Sequence, residues 1–161
     1  MCYVFLELSS IFIFRSTACD YRVMVNNPKA TIGLNEAKFG LVAPFWLMDS
    51  FVATVGQRHG DFGVLTGKLF NVEEAKNMGL VDELVSTKEE AIENCAKIVK
   101  EMAKCKPNAF HMTKLQVRQS SLERLKSKRN EDVDNFVSYI FTDAMQNDLG
   151  AYLASLGGGK K

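Results

Sequence analysis

The chain has 161 residues, enough for one domain with a sizeable core, and 47% of them are hydrophobic against 24% charged. Lys and Arg number 20 and Asp and Glu 19, a net charge of +1, which excludes a general electrostatic field for nucleic acid or an anionic membrane. An anionic ligand therefore needs a local site.

Residues 1–14 are mostly apolar but too short for a bilayer span, which takes about 20 residues. Glu7 interrupts them, Arg15 follows, and no basic residue precedes, so they read as neither signal peptide nor mitochondrial presequence, but as a buried strand or helix start. Residues 19–25 alternate in part and predict a strand; Asn26-Asn27-Pro28-Lys29 is a turn, and residues 30–34 form a second short apolar run ending at Asn35-Glu36. Pro44 suits the first turn of a helix over Phe45–Val55, which Gly56 ends.

A helix follows over residues 58–66. Asn71 and Glu74 have capping-box spacing for a short helix terminated near Gly79, and residues 80–85 suggest a strand or extended connector. Thr87 and Glu90 have the same spacing, ahead of a stripe formed by Ala91, Ile92, Cys95, Ile98, Val99 and Met102. Pro107 opens a helix to about Arg118, and Ser120 with Glu123 predicts a short helix after it. The last predicted helix carries one long apolar stripe from Val133 through Phe136, Ile140 and Met145 to Leu156, which must bury against the domain or another subunit. The Gly-rich residues 157–161 predict a flexible tail and are not a peroxisomal address.

The four cysteines (Cys2, Cys19, Cys95, Cys105) and two histidines (His59, His111) show no metal-ligand spacing, and the thiols read as reduced and mostly buried. From pattern alone the class is α/β, short strands followed by a predominantly helical C-terminal half.

Several segments in fixed order add a resemblance. Residues 19–24 (Cys-Asp-Tyr-Arg-Val-Met) are similar to a strand of the crotonase superfamily, and residues 32–41 (Ile-Gly-Leu-Asn-Glu-Ala-Lys-Phe-Gly-Leu) to its active-site turn. Residues 43–47 (Ala-Pro-Phe-Trp-Leu), 75–82 (Ala-Lys-Asn-Met-Gly-Leu-Val-Asp) and 135–138 (Asn-Phe-Val-Ser) continue it. From about Ala18 onward the chain resembles the C-terminal portion of a crotonase-like fold, in the branch of mitochondrial 3,2-trans-enoyl-CoA isomerases.

The resemblance implies an acyl-CoA thioester substrate, no metal and no cofactor, since coenzyme A is part of the substrate. It makes Glu36 the catalytic base that carries a proton from C2 to C4 of a 3-enoyl thioester. Such a base works best with its pKa raised by apolar neighbours, here Leu34, Phe39, Leu41, Phe45 and Trp46. Asn35, Leu34, Pro44 and Phe45 are the implied substrate-binding positions. The hydratase branch uses a second glutamate near the position of Phe14, and no carboxylate occurs between Glu7 and Asp20, which disfavours water addition.

The family's Gly-Gly oxyanion turn lies ahead of the Cys-Asp segment, and the first glycine here is Gly33. The expectation is therefore an N-terminally truncated chain, inactive alone, whose residues 19–25 present an unpaired sheet edge. Three regions are expected. Residues 1–17 lie outside the resemblance and read as translated intron or an alternative exon, because residues 11–15 can be encoded by a splice-acceptor-like run; a true divergent N-terminus is the alternative. Residues 18–105 form a partial crotonase-like core, and residues 106–161 a helical region with an oligomerisation surface. The resemblance further implies the mitochondrial matrix, fatty-acid β-oxidation and a trimer, with homo- or hetero-oligomers both open. A non-catalytic interaction subunit docking on full-length family members is the alternative, and a CoA-thioester binder without turnover a third.

Overall fold

The computed structural model describes residues 2–5, 13 and 16–157. Strand β1 (Cys2–Phe5), β2 (Tyr21–Val25) and β5 (Glu83–Val85) form a parallel sheet in the order β1-β2-β5, with Val23 opposite both Val4 and Glu83. Strands β3 (Thr31–Ile32) and β4 (Phe70–Asn71) form a separate antiparallel pair. Around them lie α1 (Phe45–Val55), α2 (Gln57–Thr66), α3 (Val72–Asn77), α4 (Lys88–Met102), α5 (Pro107–Val117), α6 (Gln119–Ile140) and α7 (Asp143–Gly157).

Strand β2 is buried on both faces, as a parallel sheet requires. Met24 joins the main core with Leu34, Leu47, Phe51, Val55, Phe70 and Leu80, whereas Val23 packs with Val85, Ala91 and Cys95 beneath α4. The expected unpaired edge at residues 19–25 does not exist: β1 bonds to one side of β2 and β5 to the other. Only Thr31–Ile32 of the apolar run over residues 30–34 is strand, because Gly33 leaves it to pass over the Lys68 carbonyl; a Cβ on Gly33 would stand 2.3 Å from that oxygen. Of residues 1–14, expected as a buried strand or helix start, Cys2–Phe5 is strand and Ile13 is helical and fully buried, and the rest lies outside the described residues.

Helix boundaries follow local chemistry where caps are strong. The Asn71 side chain accepts from the Glu74 N–H at 2.9 Å while Glu74 accepts from the Asn71 N–H at 3.0 Å, so the capping box is complete. At α4, Thr87 accepts from the Glu90 N–H, but the Glu90 carboxylate reaches Ser86 instead of Thr87. The α4 stripe is narrower than expected: Ala91 and Cys95 are buried and Ile92 and Val99 exposed.

Two expectations about the C-terminal half are corrected. Ser120 does not start a short helix; it lies inside the 22-residue α6, and Glu123 accepts from the Gln119 side chain at 2.8 Å. The Val133–Leu156 stripe is divided between two helices. The chain turns at Phe141-Thr142, where Thr142 Oγ1 accepts from the Met145 N–H at 3.3 Å and the Gln146 amide donates to the Ile140 carbonyl at 2.7 Å. Met145 is fully buried, while Val133, Phe136, Val137, Phe141 and Leu153 remain exposed. Of the tail expected over residues 157–161, Gly157 closes α7 and the remainder lies outside the described residues.

Candidate active site

Glu36 opens a 3-10 turn, Glu36–Phe39, directly after the Leu34-Asn35 exit from β3. Gly40 closes the turn with φ 83°, a left-handed conformation that glycine adopts without a Cβ penalty. The N–H groups of Gly40 and Leu41 both donate to the Glu36 carbonyl, the latter at 3.0 Å. The backbone carrying Glu36 is thereby tied down at its own carbonyl.

The Glu36 side chain is unusual among the carboxylates. Its Oε2 is buried and has no hydrogen-bond partner among the described residues. Burial pushes its carboxyl above the ordinary carboxylate value, with a hydrogen bond from its own backbone N–H working the other way. An orphaned buried oxygen costs free energy unless something outside the chain uses it. A carboxyl with a raised pKa is suited to take and return a proton near neutral pH.

Leu34 is 1% exposed and forms part of the wall behind the turn. Asn35 is the residue before the turn, and its carbonyl accepts from the Lys38 N–H at 3.0 Å. Pro44 precedes the first turn of α1 and lines a cleft of about 280 Å³ with Val42, Ala43, Asp132, Asn135, Phe136 and Tyr139. Phe45 begins α1; its N–H donates to Asp132 at 3.4 Å, and the Arg124 guanidinium lies 4.9 Å from its ring centroid. Leu34, Asn35 and Glu36 thus come together at one turn, whereas Pro44 borders a neighbouring cleft that Glu36 does not line.

Residues that sequence reasoning missed close the site from the C-terminal half. The Tyr139 hydroxyl donates to the Gly40 carbonyl at 2.7 Å, and the Tyr152 ring stacks on Phe39 with centroids 4.8 Å apart. Asp148 packs against Gly40 so closely that a Cβ there would approach the Asp148 Cβ to 2.9 Å. These contacts span about a hundred residues of chain, and the apolar stripe of the last helices was the only sequence signal pointing toward them. Among the described residues no group of His, Cys, Asp and Glu is placed to hold a metal ion, and no helix is long and apolar enough to cross a membrane.

A sequence profile of the family described as Enoyl-CoA hydratase/isomerase matches residues 15–156. The mitochondrial enoyl-CoA delta isomerase 1 of Mus musculus is 40% identical over 139 residues, 86% of this chain and 47% of that protein. The Homo sapiens counterpart is 38% identical over 139 residues, 86% of this chain and 45% of its own length. The chain therefore spans about half the length of these relatives. The crystal structure of human mitochondrial delta3-delta2-enoyl-CoA isomerase superposes with a TM-score of 0.82 at 36% identity, covering 90% of this chain and 56% of that one. An enoyl-CoA hydratase from Bacillus halodurans, 24% identical with a TM-score of 0.73 over 86% of this chain and 55% of its own, shares the fold.

Proposed function

The chain belongs to the enoyl-CoA hydratase/isomerase family, and on that premise we propose that Glu36 is the proton-shuttling base of a 3-enoyl-CoA isomerisation. The observation that carries the reading is the buried Glu36 Oε2, without a partner among the described residues, with its carboxyl shifted upward by burial. One carboxylate takes the proton at C2, leaving a dienolate, and returns it at C4, so the double bond moves to the 2-trans position. No second acid, metal or redox group is needed for that transfer. The 3-enoyl thioester is the substrate on this reading, Leu34, Asn35, Pro44 and Phe45 are its contacts, and the isomerases' mitochondrial location extends to this protein.

The dienolate's thioester oxygen needs preorganised donors, and losing one such donor typically costs about 10²–10³ in rate. No Gly-Gly pair precedes Glu36 in these 161 residues. On this reading the 161 residues assayed alone are expected to show no measurable turnover. A coupled assay with a 3-enoyl-CoA tests this on the polypeptide alone and on a fusion supplying the N-terminal half of a family isomerase. The fusion is expected to turn over and to lose about 10²–10⁴-fold in Glu36→Gln. Turnover by the polypeptide alone refutes its inactivity, and a fusion indifferent to Glu36→Gln refutes the base.

A second reading is favoured by the exposed Val133, Phe136, Val137 and Phe141. On it the chain is a non-catalytic subunit that docks on full-length family members through α6 and the α6–α7 corner. Co-purification with such a member, lost when Phe136 and Val137 are made serine, supports it; a monomer under the same conditions excludes it.

A further inference from the structure

We propose that Tyr139 is a positioning residue for Glu36, acting through the Gly40–Leu41 peptide, so that the α6–α7 corner straps the turn carrying the base. This rests on the reading of Glu36 as that base.

One peptide unit is bonded at both ends. Its carbonyl, that of Gly40, accepts from the Tyr139 hydroxyl at 2.7 Å. Its N–H, that of Leu41, donates to the Glu36 carbonyl at 3.0 Å. A hydrogen bond to the carbonyl end polarises the peptide and strengthens the bond made at the N–H end. Tyr139 therefore acts on the Glu36 backbone through that peptide.

The carboxyl is bonded to its own backbone N–H, and its Oε2 has no partner among the described residues. Its aim is inherited from the turn, and misplacing a reacting group by about 1 Å is enough to cost about a hundredfold in rate. The far end of the turn is held by the same corner. Phe39 stacks on Tyr152 with an interplanar angle of 28°, and Gly40 at φ 83° leaves just enough room for Asp148. Tyr139 is 40% exposed, so a ring without the hydroxyl is accommodated there.

The test uses the full chain, with amide hydrogen exchange at Leu41 and titration of the Glu36 carboxyl carbon by NMR, assigned with Glu36→Gln. In Tyr139→Phe, Leu41 exchange is expected to accelerate about five- to tenfold, and Glu36 to titrate closer to an ordinary carboxylate as water reaches it. Tyr152→Leu, which removes the stack and leaves the hydroxyl bond, shifts the Glu36 titration in the same direction. Ser138→Ala, whose hydroxyl bonds the Asp134 carbonyl, leaves both readouts unchanged. A folded Tyr139→Phe with wild-type Leu41 exchange and Glu36 titration overturns the proposal. If wild-type Glu36 titrates at the ordinary value, the tuned base fails, while Leu41 exchange still decides the strap.

Discussion

Asp20, just ahead of β2, holds the Lys114 ammonium of α5 at 2.7 Å, with its other oxygen 3.1 Å from Arg118. This pairing ties the helical C-terminal region to the entrance of the central strand. Burial acts to raise the Asp20 carboxyl, and the hydrogen bond and charge of Lys114, among other favourable contacts, outweigh it and leave the group below its ordinary value. A depressed acid contributes stability that is complete above its unfolded value, 3.8, and is lost as pH falls through the lower folded value. Asp20→Asn is expected to cost about 1–3 kcal/mol at pH 7. The difference from wild type should shrink progressively below the unfolded value, as read by urea unfolding across that range.

Glu36 has the opposite sign. Its folded value lies above the unfolded 4.5, so ionisation is harder in the folded state and stability falls as pH rises from the unfolded value through the folded one. Glu36→Gln removes that charge and is expected to stabilise the fold by about 0.5–1 kcal/mol at pH 7. At pH 4 the two proteins should unfold at nearly the same urea concentration. A variant less stable than wild type at pH 7 would contradict a carboxylate destabilised by burial.

Gly33 and Gly56 separate steric from conformational effects. An alanine Cβ at Gly33 meets the Lys68 carbonyl, a backbone atom that cannot swing aside, whereas at Gly56 (φ 80°) it meets nothing within 4 Å. At φ 80° and ψ 156° Gly56 occupies a region that is essentially glycine's alone, so Gly56→Ala should cost the backbone strain only, about 1–3 kcal/mol. Gly33→Ala is expected to exceed it clearly in thermal unfolding, because β3 and the loop before β4 must separate.

Asn71→Ala tests the complete capping box of α3. Loss of the side-chain acceptor is expected to cost about 1–2 kcal/mol, and Asn71→Asp to restore most of it. Because Lys68 also binds Glu74 at 2.7 Å, a double-mutant cycle with Lys68→Met should show a small coupling, at most about 1 kcal/mol for so exposed a pair.

What the chain announces in its order of residues is what short-range chemistry controls. Pro44 and Gly56 frame α1, the Asn71–Glu74 box opens α3, and the Glu36 turn with its glycine end is contiguous, so its motif survives in a linear reading. Caps and turns act over three or four residues, and their signals stand in that window. The same short range explains the errors. Ser120 and Glu123 had the right spacing for a cap, but a cap forms only where the backbone leaves the helix, and α6 runs through. The division of the Val133–Leu156 stripe at Phe141 is set by the seat of Met145 in the interior, which periodicity does not encode.

The sequence by itself determined the fold class and placed a carboxylate at residue 36 within a recognisable turn. Only the tertiary structure decided that β1 would cover the edge of β2, that Glu36 Oε2 would lie buried without a partner among the described residues, and that Tyr139 would bond the Gly40 carbonyl from 99 residues away. Strand pairing, burial and desolvation depend on which distant surfaces meet, and a single chain's local pattern carries no term for that.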